Sequence, residues 1–323
     1  MELLIRQTPV YETVKREAET DTLRHAYLLT MDDKRNLRAA LKAFAKLFFP
    51  ASHRTSTLID SESFSDCLFY PTEEGKKFTV EDAEAIGEEA TLKPVEGACK
   101  LFVVEFTDAT PQAQNKLLKL LEEPPTGVRF LLGSTTAFSV LSTVLSRTSK
   151  LELPPFSDGA IEDFLRRRYP TATDLRAYAA ASGGSAGTAQ SFLEGGYYGE
   201  LLESAFLLAE TDIRALPAVV KKTGETKRKK ELLTLLRLVY RDALSIQLKT
   251  GVRLTLEREK ERLNALAARY TPHTLLHAQE ALTKAERETR FNAAFTQCLE
   301  LTLTDILRDE TNEKRREKLQ NLV

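Results

Sequence analysis

What most limits the fold of this chain is a change of pattern near residue 155. Before it, short apolar runs of strand length alternate with segments whose apolar residues recur every three or four positions; after it, only the helical period continues. Such alternation folds as a parallel sheet covered by helices, because parallel neighbours need a crossover and the crossover buries a sheet face. The runs at 26–29, 57–59, 101–106 and 128–132 are the expected strands. Over 34–48, Leu37, Ala40, Leu41, Phe44, Ala45 and Phe48 make one helical stripe, with Arg38, Lys42 and Lys46 expected opposite it. A second helix is expected over 111–123. Thr110 can cap it, Pro111 suits its first turn, Leu117, Leu118 and Leu121 face inward, and Pro124-Pro125 ends it.

Beyond 155, Ser157-Asp158 can open a helix through Ile161, Phe164 and Leu165, and helical stretches at 175–181 and 189–193 flank a glycine-rich turn at 182–187. From 197 onward the chain is leucine-rich and helical in period, as in Leu232, Leu235, Leu236, Val239, Tyr240 and Leu244. Three domains follow: 1–155, 156–197 and 198–323. The 323 residues suffice for a core in each, and 42% hydrophobic content excludes a disordered chain. A balance of 46 Lys+Arg against 47 Asp+Glu excludes a polybasic protein, so any nucleic-acid contact has to be local. Cys67, Cys99 and Cys298 lie far apart without a CxxC pair, so reduced structural thiols and no metal site are expected. His25 has no ligand partner at metal spacing, and no Gly-x-Ser-x-Gly elbow is present. No apolar run reaches the ~20 residues of a membrane span, and the first residues lack a secretory pattern, so a cytoplasmic protein is expected.

The segment from Asn115 to Pro125, reading NKLLKLLEEPP, followed by the run at 128–132 and by Leu145-Ser-Arg-Thr148, resembles the clamp-loader family of bacterial DNA polymerase III, a branch of the AAA+ superfamily. His25-Ala-Tyr-Leu28, Phe78-Thr-Val-Glu-Asp82 and Leu92-Lys-Pro-Val-Glu-Gly97 extend the resemblance, which within the family points to the delta-prime type. It implies an AAA+-like α/β parallel-sheet domain, a small helical lid and an all-α collar that joins subunits into a ring. Implied partners are the gamma/tau motor subunits and the clamp-opening delta subunit, and through them the sliding clamp and primed DNA.

Departures from the family's ATPase pattern are equally informative. A phosphate loop needs glycines for close backbone approach, then Lys-Ser/Thr for phosphate and magnesium. Here the chain reads Thr30-Met-Asp-Asp-Lys-Arg-Asn36, without glycine, with Asp32 and Asp33 where triphosphate would lie and only Lys34 as a cation of the expected type. In the Walker B pattern Val104 takes the metal-supporting Asp position, while Glu105 is kept; a framework role for Glu105 is favoured over a catalytic one. Thr188 stands where active members carry an ATP-contacting Arg. The resemblance therefore implies a subunit without ATP hydrolysis or a cofactor of its own. Ser146-Arg147-Thr148 matches the family's Ser-Arg-Cys motif, which makes Arg147 the expected trans-acting finger toward a neighbour's ATP. Lys116 and Lys119 are the DNA-facing candidates, although solvated lysines are the commoner outcome. The runs 227–230 and 314–316 are expected as solvated charge, and the apolar faces at 232–244 and 291–307 as core and oligomer contacts. The alternatives are a divergent motor that hydrolyses ATP around Lys34, and a stand-alone DNA-binding regulator on an AAA+ frame.

Overall fold

The computed structural model describes residues 1–289 and 294–320, those from 314 on as backbone alone. The chain divides into two compact units, Met1–Phe164 with Ser185–Gly187, and Leu165–Gly184 with Thr188–Val323. The first is built on five parallel strands: β1 (Ala26–Thr30), β2 (Cys67–Tyr70), β3 (Lys100–Glu105), β4 (Val128–Ser134) and β5 (Ser149–Glu152), in the order β2-β3-β4-β1-β5. Strand periodicity sorts their side chains cleanly. Tyr27, Leu29, Leu101, Val103 and Leu131 enter one core, whereas Ala26, Leu28, Phe102, Val104, Phe130 and Leu132 enter the other. Helices α1 (Glu2–Arg6), α2 (Pro9–Glu19), α3 (Leu37–Ala45) and α4 (His53–Asp60) cover the first face; α5 (Val80–Glu89), α6 (Pro111–Glu122) and α7 (Ser142–Leu145) cover the second. The expected parallel α/β sheet covered by helices is the observed one.

Local chemistry marks the helix ends. Thr110 Oγ1 accepts the Ala113 N–H at 3.3 Å to start α6, with Pro111 in its first turn. Thr79 and Asp82 form a reciprocal capping box on α5. Helix α3 lies close to β4 because Gly133 has no side chain: a Cβ there would stand 2.7 Å from Leu41 Cδ1. The expected strand at 57–59 is instead part of α4, where Ser52 Oγ accepts the Thr55 N–H at 2.9 Å and caps the helix start. A cap five residues upstream outweighs the strand preference of one Thr and one Ile. Arg38 departs further from expectation. Rather than lying opposite the apolar stripe, it is buried, its side chain 4% exposed.

The loop between α5 and β3 is organised by Asp66, a fully buried residue. Its carboxylate accepts the backbone N–H groups of Val95 at 2.7 Å, Glu96 at 2.7 Å and Gly97 at 2.6 Å.

The second unit is helical throughout its described residues. It takes the last residues of α8 (Asp158–Arg168), all of α9 (Leu175–Ala181) and α10 (Ala186–Gly195) from Thr188 on, and then α11 (Tyr198–Glu210), α12 (Leu216–Thr223), α13 (Lys229–Gln247), α14 (Lys260–Arg269), α15 (Pro272–Thr289) and α16 (Phe295–Gln320). Phe206, Leu235, Leu236, Tyr240, Leu263, Leu275, Leu299 and Ile306 lie in its core, and α13 packs against α11, α14 and α15. Buried Asp242 accepts the N–H groups of Thr255 at 2.7 Å and Leu256 at 2.8 Å, pinning the α13–α14 connection. Phe291 lies outside the described residues, as do the side chains of the run 314–316.

Burial pushes the Asp66 carboxyl upward, but the three backbone donors outweigh it and hold its pKa below the ordinary 3.8. A depressed folded value gives stability that is present above the unfolded pKa and lost as pH falls through the folded one. Asp66→Ala is expected to lower unfolding free energy by roughly 2–4 kcal/mol at pH 7, because buried amide donors lose their acceptor. In urea titrations followed by circular dichroism, the gap from wild type should narrow below about pH 4.

Candidate functional site

In open α/β sheets the crevice for ligands lies beyond the carboxyl ends of the strands. Here that end is made by the loop after β1, the turn after β3 and the first turn of α3. The loop forms a short 3₁₀ turn over Lys34–Asn36 before α3 begins. Asp33 is buried at its start. Its Oδ1 accepts the Asn36 N–H at 3.2 Å, while Oδ2 accepts from Asn36 Nδ2 at 3.0 Å and from the Gly187 N–H at 2.8 Å. A helix start with free N–H groups is where an anion binds. The chain supplies that anion itself. Gly187 is required by the closeness: a Cβ there would fall 2.2 Å from Asp33 Oδ1. Lys34 turns to Asp108, Nζ to Oδ2 2.8 Å, and this contact holds the exposed Asp108 carboxyl below its ordinary value. Asp108 sits in the turn after β3 with φ 61°. Asp32 is exposed beside Asp33.

The strand end itself is closed by Arg38. Val104 is fully buried in the sheet core and offers no ligand atom. Glu105 ends β3, and its Oε1 accepts from Arg38 Nη1 at 2.7 Å. Arg38 also donates through Nε to Glu62 Oε1 at 2.7 Å and through Nη2 to Glu62 Oε2 at 2.5 Å, while Nη1 and Nη2 each reach Pro71 O at 3.1 Å. All five guanidinium N–H groups therefore have an acceptor. The cation also lies over the Phe69 ring, 5.4 Å from its centroid. Burial alone would lower the Arg38 pKa, but the Glu62 and Glu105 carboxylates win and raise it. For Glu62, burial is again opposed and overcome by Arg38 and Lys42, which leave its carboxyl below the ordinary range.

The second candidate group is the Ser146-Arg147-Thr148 turn at the end of α7. Ser146 Oγ donates to Thr143 O at 3.0 Å and Thr148 Oγ1 to Val144 O at 3.1 Å, so both hydroxyls return to carbonyls of α7. Arg147 Nη1 donates to Thr143 O at 2.9 Å and Ser146 Oγ at 3.3 Å, and Nη2 to Glu122 Oε1 at 3.0 Å. Lys116 and Lys119 are exposed on α6, and Lys116 pairs with Glu84 at 2.9 Å. His25 Nε2 contacts Leu121 O at 3.2 Å, a structural role. Thr188 belongs to the second unit, half-buried on α10. The structure thus brings Asp33, Lys34 and Glu105 to one end of the sheet. It adds Arg38, Glu62, Asp108 and Gly187, which sequence reading missed. A basic residue in the first turn after the altered loop was the available signal for Arg38.

In the second unit, ligand-type atoms of His273, Asp309 and Glu313 lie within 4.8 Å of one another. His273 pairs with Asp309 at 3.3 Å and His277 with Asp305 at 2.9 Å, two exposed polar rungs that join α15 to α16. The three cysteines are free and buried. No helix among the described residues is long and apolar enough to cross a membrane.

Residues 6–157 match the family described as DNA polymerase III, delta subunit. DNA polymerase III subunit delta' of Bacillus subtilis (strain 168) is 30% identical over 168 residues, which are 49% of this chain and 51% of that protein. DNA polymerase III subunit tau/gamma of Haemophilus influenzae is 26% identical over 172 residues, 50% of this chain and 25% of that protein. The chain thus spans about half the length of the first relative and a quarter of the second. A DNA polymerase III gamma subunit-related protein from Thermotoga maritima aligns over 93% of this chain and 99% of its own, at 17% identity and a TM-score of 0.40. The resemblance carried by 115–125 and 145–148 falls inside the matched stretch and is borne out there.

Removing one partner of a buried ion pair leaves an uncompensated charge and typically costs about 3–5 kcal/mol. Arg38→Ala is therefore expected to destabilise the chain by that amount in urea unfolding. Glu105→Gln should cost roughly 1 kcal/mol, since Glu62 still pairs with the guanidinium.

Proposed function

We propose that this chain is a non-hydrolysing subunit of a DNA polymerase III clamp loader, which lends Arg147 to the ATP site of a neighbouring motor subunit. One observation carries the silent half of this reading: Glu105, the carboxylate that would orient an attacking water, is neutralised by the buried Arg38 guanidinium at 2.7 Å. Beside it, Val104 has no oxygen for magnesium, and Asp33 already occupies the anion position at the helix start. A triphosphate would have to displace a carboxylate that is covalently part of the loop and meet Asp32 as well.

The lending half rests on Ser146-Arg147-Thr148. Arg147 reaches the surface at the end of α7, and a planar guanidinium can spread over two oxygens of a transferring phosphoryl group. Thr in place of Cys at 148 keeps the turn, because its hydroxyl finds the Val144 carbonyl. In this reading 1–155 is the AAA+-like domain, 156–197 the lid and 198–323 the collar that assembles with gamma/tau and delta subunits to place a sliding clamp on primed DNA in the cytoplasm. Lys116 and Lys119 would meet phosphates of that DNA, with Lys116 first leaving Glu84.

The test is reconstitution with motor and clamp-opening subunits, followed by DNA-stimulated ATPase assays. Arg147→Ala should assemble normally and lower the rate severalfold. The loss at one site amounts to orders of magnitude, diluted by sites that keep their own fingers. An unchanged rate in a normally assembled complex would sink the finger assignment.

A further inference from the structure

Helix α6 breaks a local electrostatic rule. Its last residue is Glu122 and its cap is Glu123, two acids at the end where unpaired carbonyls make the helix negative. Anions there cost several tenths of a kcal/mol, and such local conflicts mark positions held for another reason. Glu122 has one: its Oε1 lies 3.0 Å from Arg147 Nη2. The guanidinium is folded back rather than extended. Its Nη1 sits on Thr143 O at the end of α7, at 2.9 Å, and its Nε is buried without a hydrogen-bond partner. Arg147 thus bridges the negative ends of two helices, with Glu122 as its one carboxylate contact among the described residues.

We infer that Glu122 is a positioning residue for Arg147, holding the guanidinium parked against α7 until a neighbour's terminal phosphate takes it over. This rests on the finger reading above. The strength of the contact suits a handover. The Glu122 side chain is 59% exposed and that of Arg147 30%, and exposed pairs of this kind are weak. A triphosphate carries more charge and accepts a guanidinium in bidentate fashion. It also relieves the unpaired Nε, which no acceptor in the parked arrangement satisfies.

The experiment uses the reconstituted complex with wild type, Glu122→Gln, Glu122→Asp, Arg147→Ala and the double variant Glu122→Gln/Arg147→Ala. Without DNA, Glu122→Gln should raise the ATPase rate about 1.5- to fivefold and lower KM for ATP, the range that corresponds to an exposed pair. The DNA-stimulated kcat should stay within error, because the finger is already released there. Glu122→Asp keeps the charge and should restore most of the low basal rate. The double variant should match Arg147→Ala, because the gain runs through that guanidinium. A basal rate unchanged or lowered in Glu122→Gln, while Arg147→Ala still slows the complex, would overturn the parking role alone. A gain that survives in the double variant would overturn it equally. Loss of any Arg147→Ala effect would instead remove the finger reading beneath it.

Discussion

The Arg38 guanidinium ties together the carboxyl end of the sheet. It joins α3 to the end of β3 through Glu105, to the residue after β2 through the Pro71 carbonyl, and to the segment after α4 through Glu62. Bringing a cation to this depth carries a desolvation cost of several kcal/mol, recovered only when the acceptors are complete and well placed. Five donors meeting acceptors at 2.5–3.1 Å meet that condition. The same completeness has a chemical consequence. On the proposed reading, a carboxylate whose charge is already matched is a poor partner for magnesium or water, and Val104, the residue before it, is buried in the core and adds no oxygen.

Asp33 works in the same direction at the start of the turn after β1. Helix starts attract anions, and the usual way to exploit this is a glycine loop that lets phosphate approach the N–H groups. In this chain the Asp33 carboxylate caps the turn after β1 and also accepts the Gly187 N–H. At the carboxyl end of the sheet, Glu105 and Asp33 are both satisfied by groups of the chain itself. The Arg38–Glu105, Lys34–Asp108 and Asp33–Gly187 contacts link segments distant in sequence.

Much of the first unit could be read in advance because burial on both faces leaves a continuous apolar signal. Strands β1, β3 and β4 have it, and α6 carries a Thr cap and a Pro-Pro stop. Edge strands do not. In β5, Ser-Lys-Leu-Glu, Leu151 alone is buried; β2 is a four-residue run; and 57–59 looked like a strand only when Ser52 was ignored. Of the site, the empty features were legible: the missing glycines, Val104 and the acids at 32 and 33. Its filled features were not, because Arg38 meets acids 24 and 67 positions away, and nothing local in a helix pattern announces such partners. Arg147 stood out through its motif, whereas Glu122 stood out only once its place at the end of α6 was known.

The central claim is that the chain's own crevice is occupied by its own charges. Its most direct measurement is a calorimetric titration of magnesium-ATP into the isolated full-length protein, repeated with Lys34→Ala. No saturable heat up to millimolar nucleotide, with identical traces for both proteins, is the expected result. Saturable micromolar binding by the wild type that disappears in Lys34→Ala would contradict the claim and restore the crevice as a working nucleotide site.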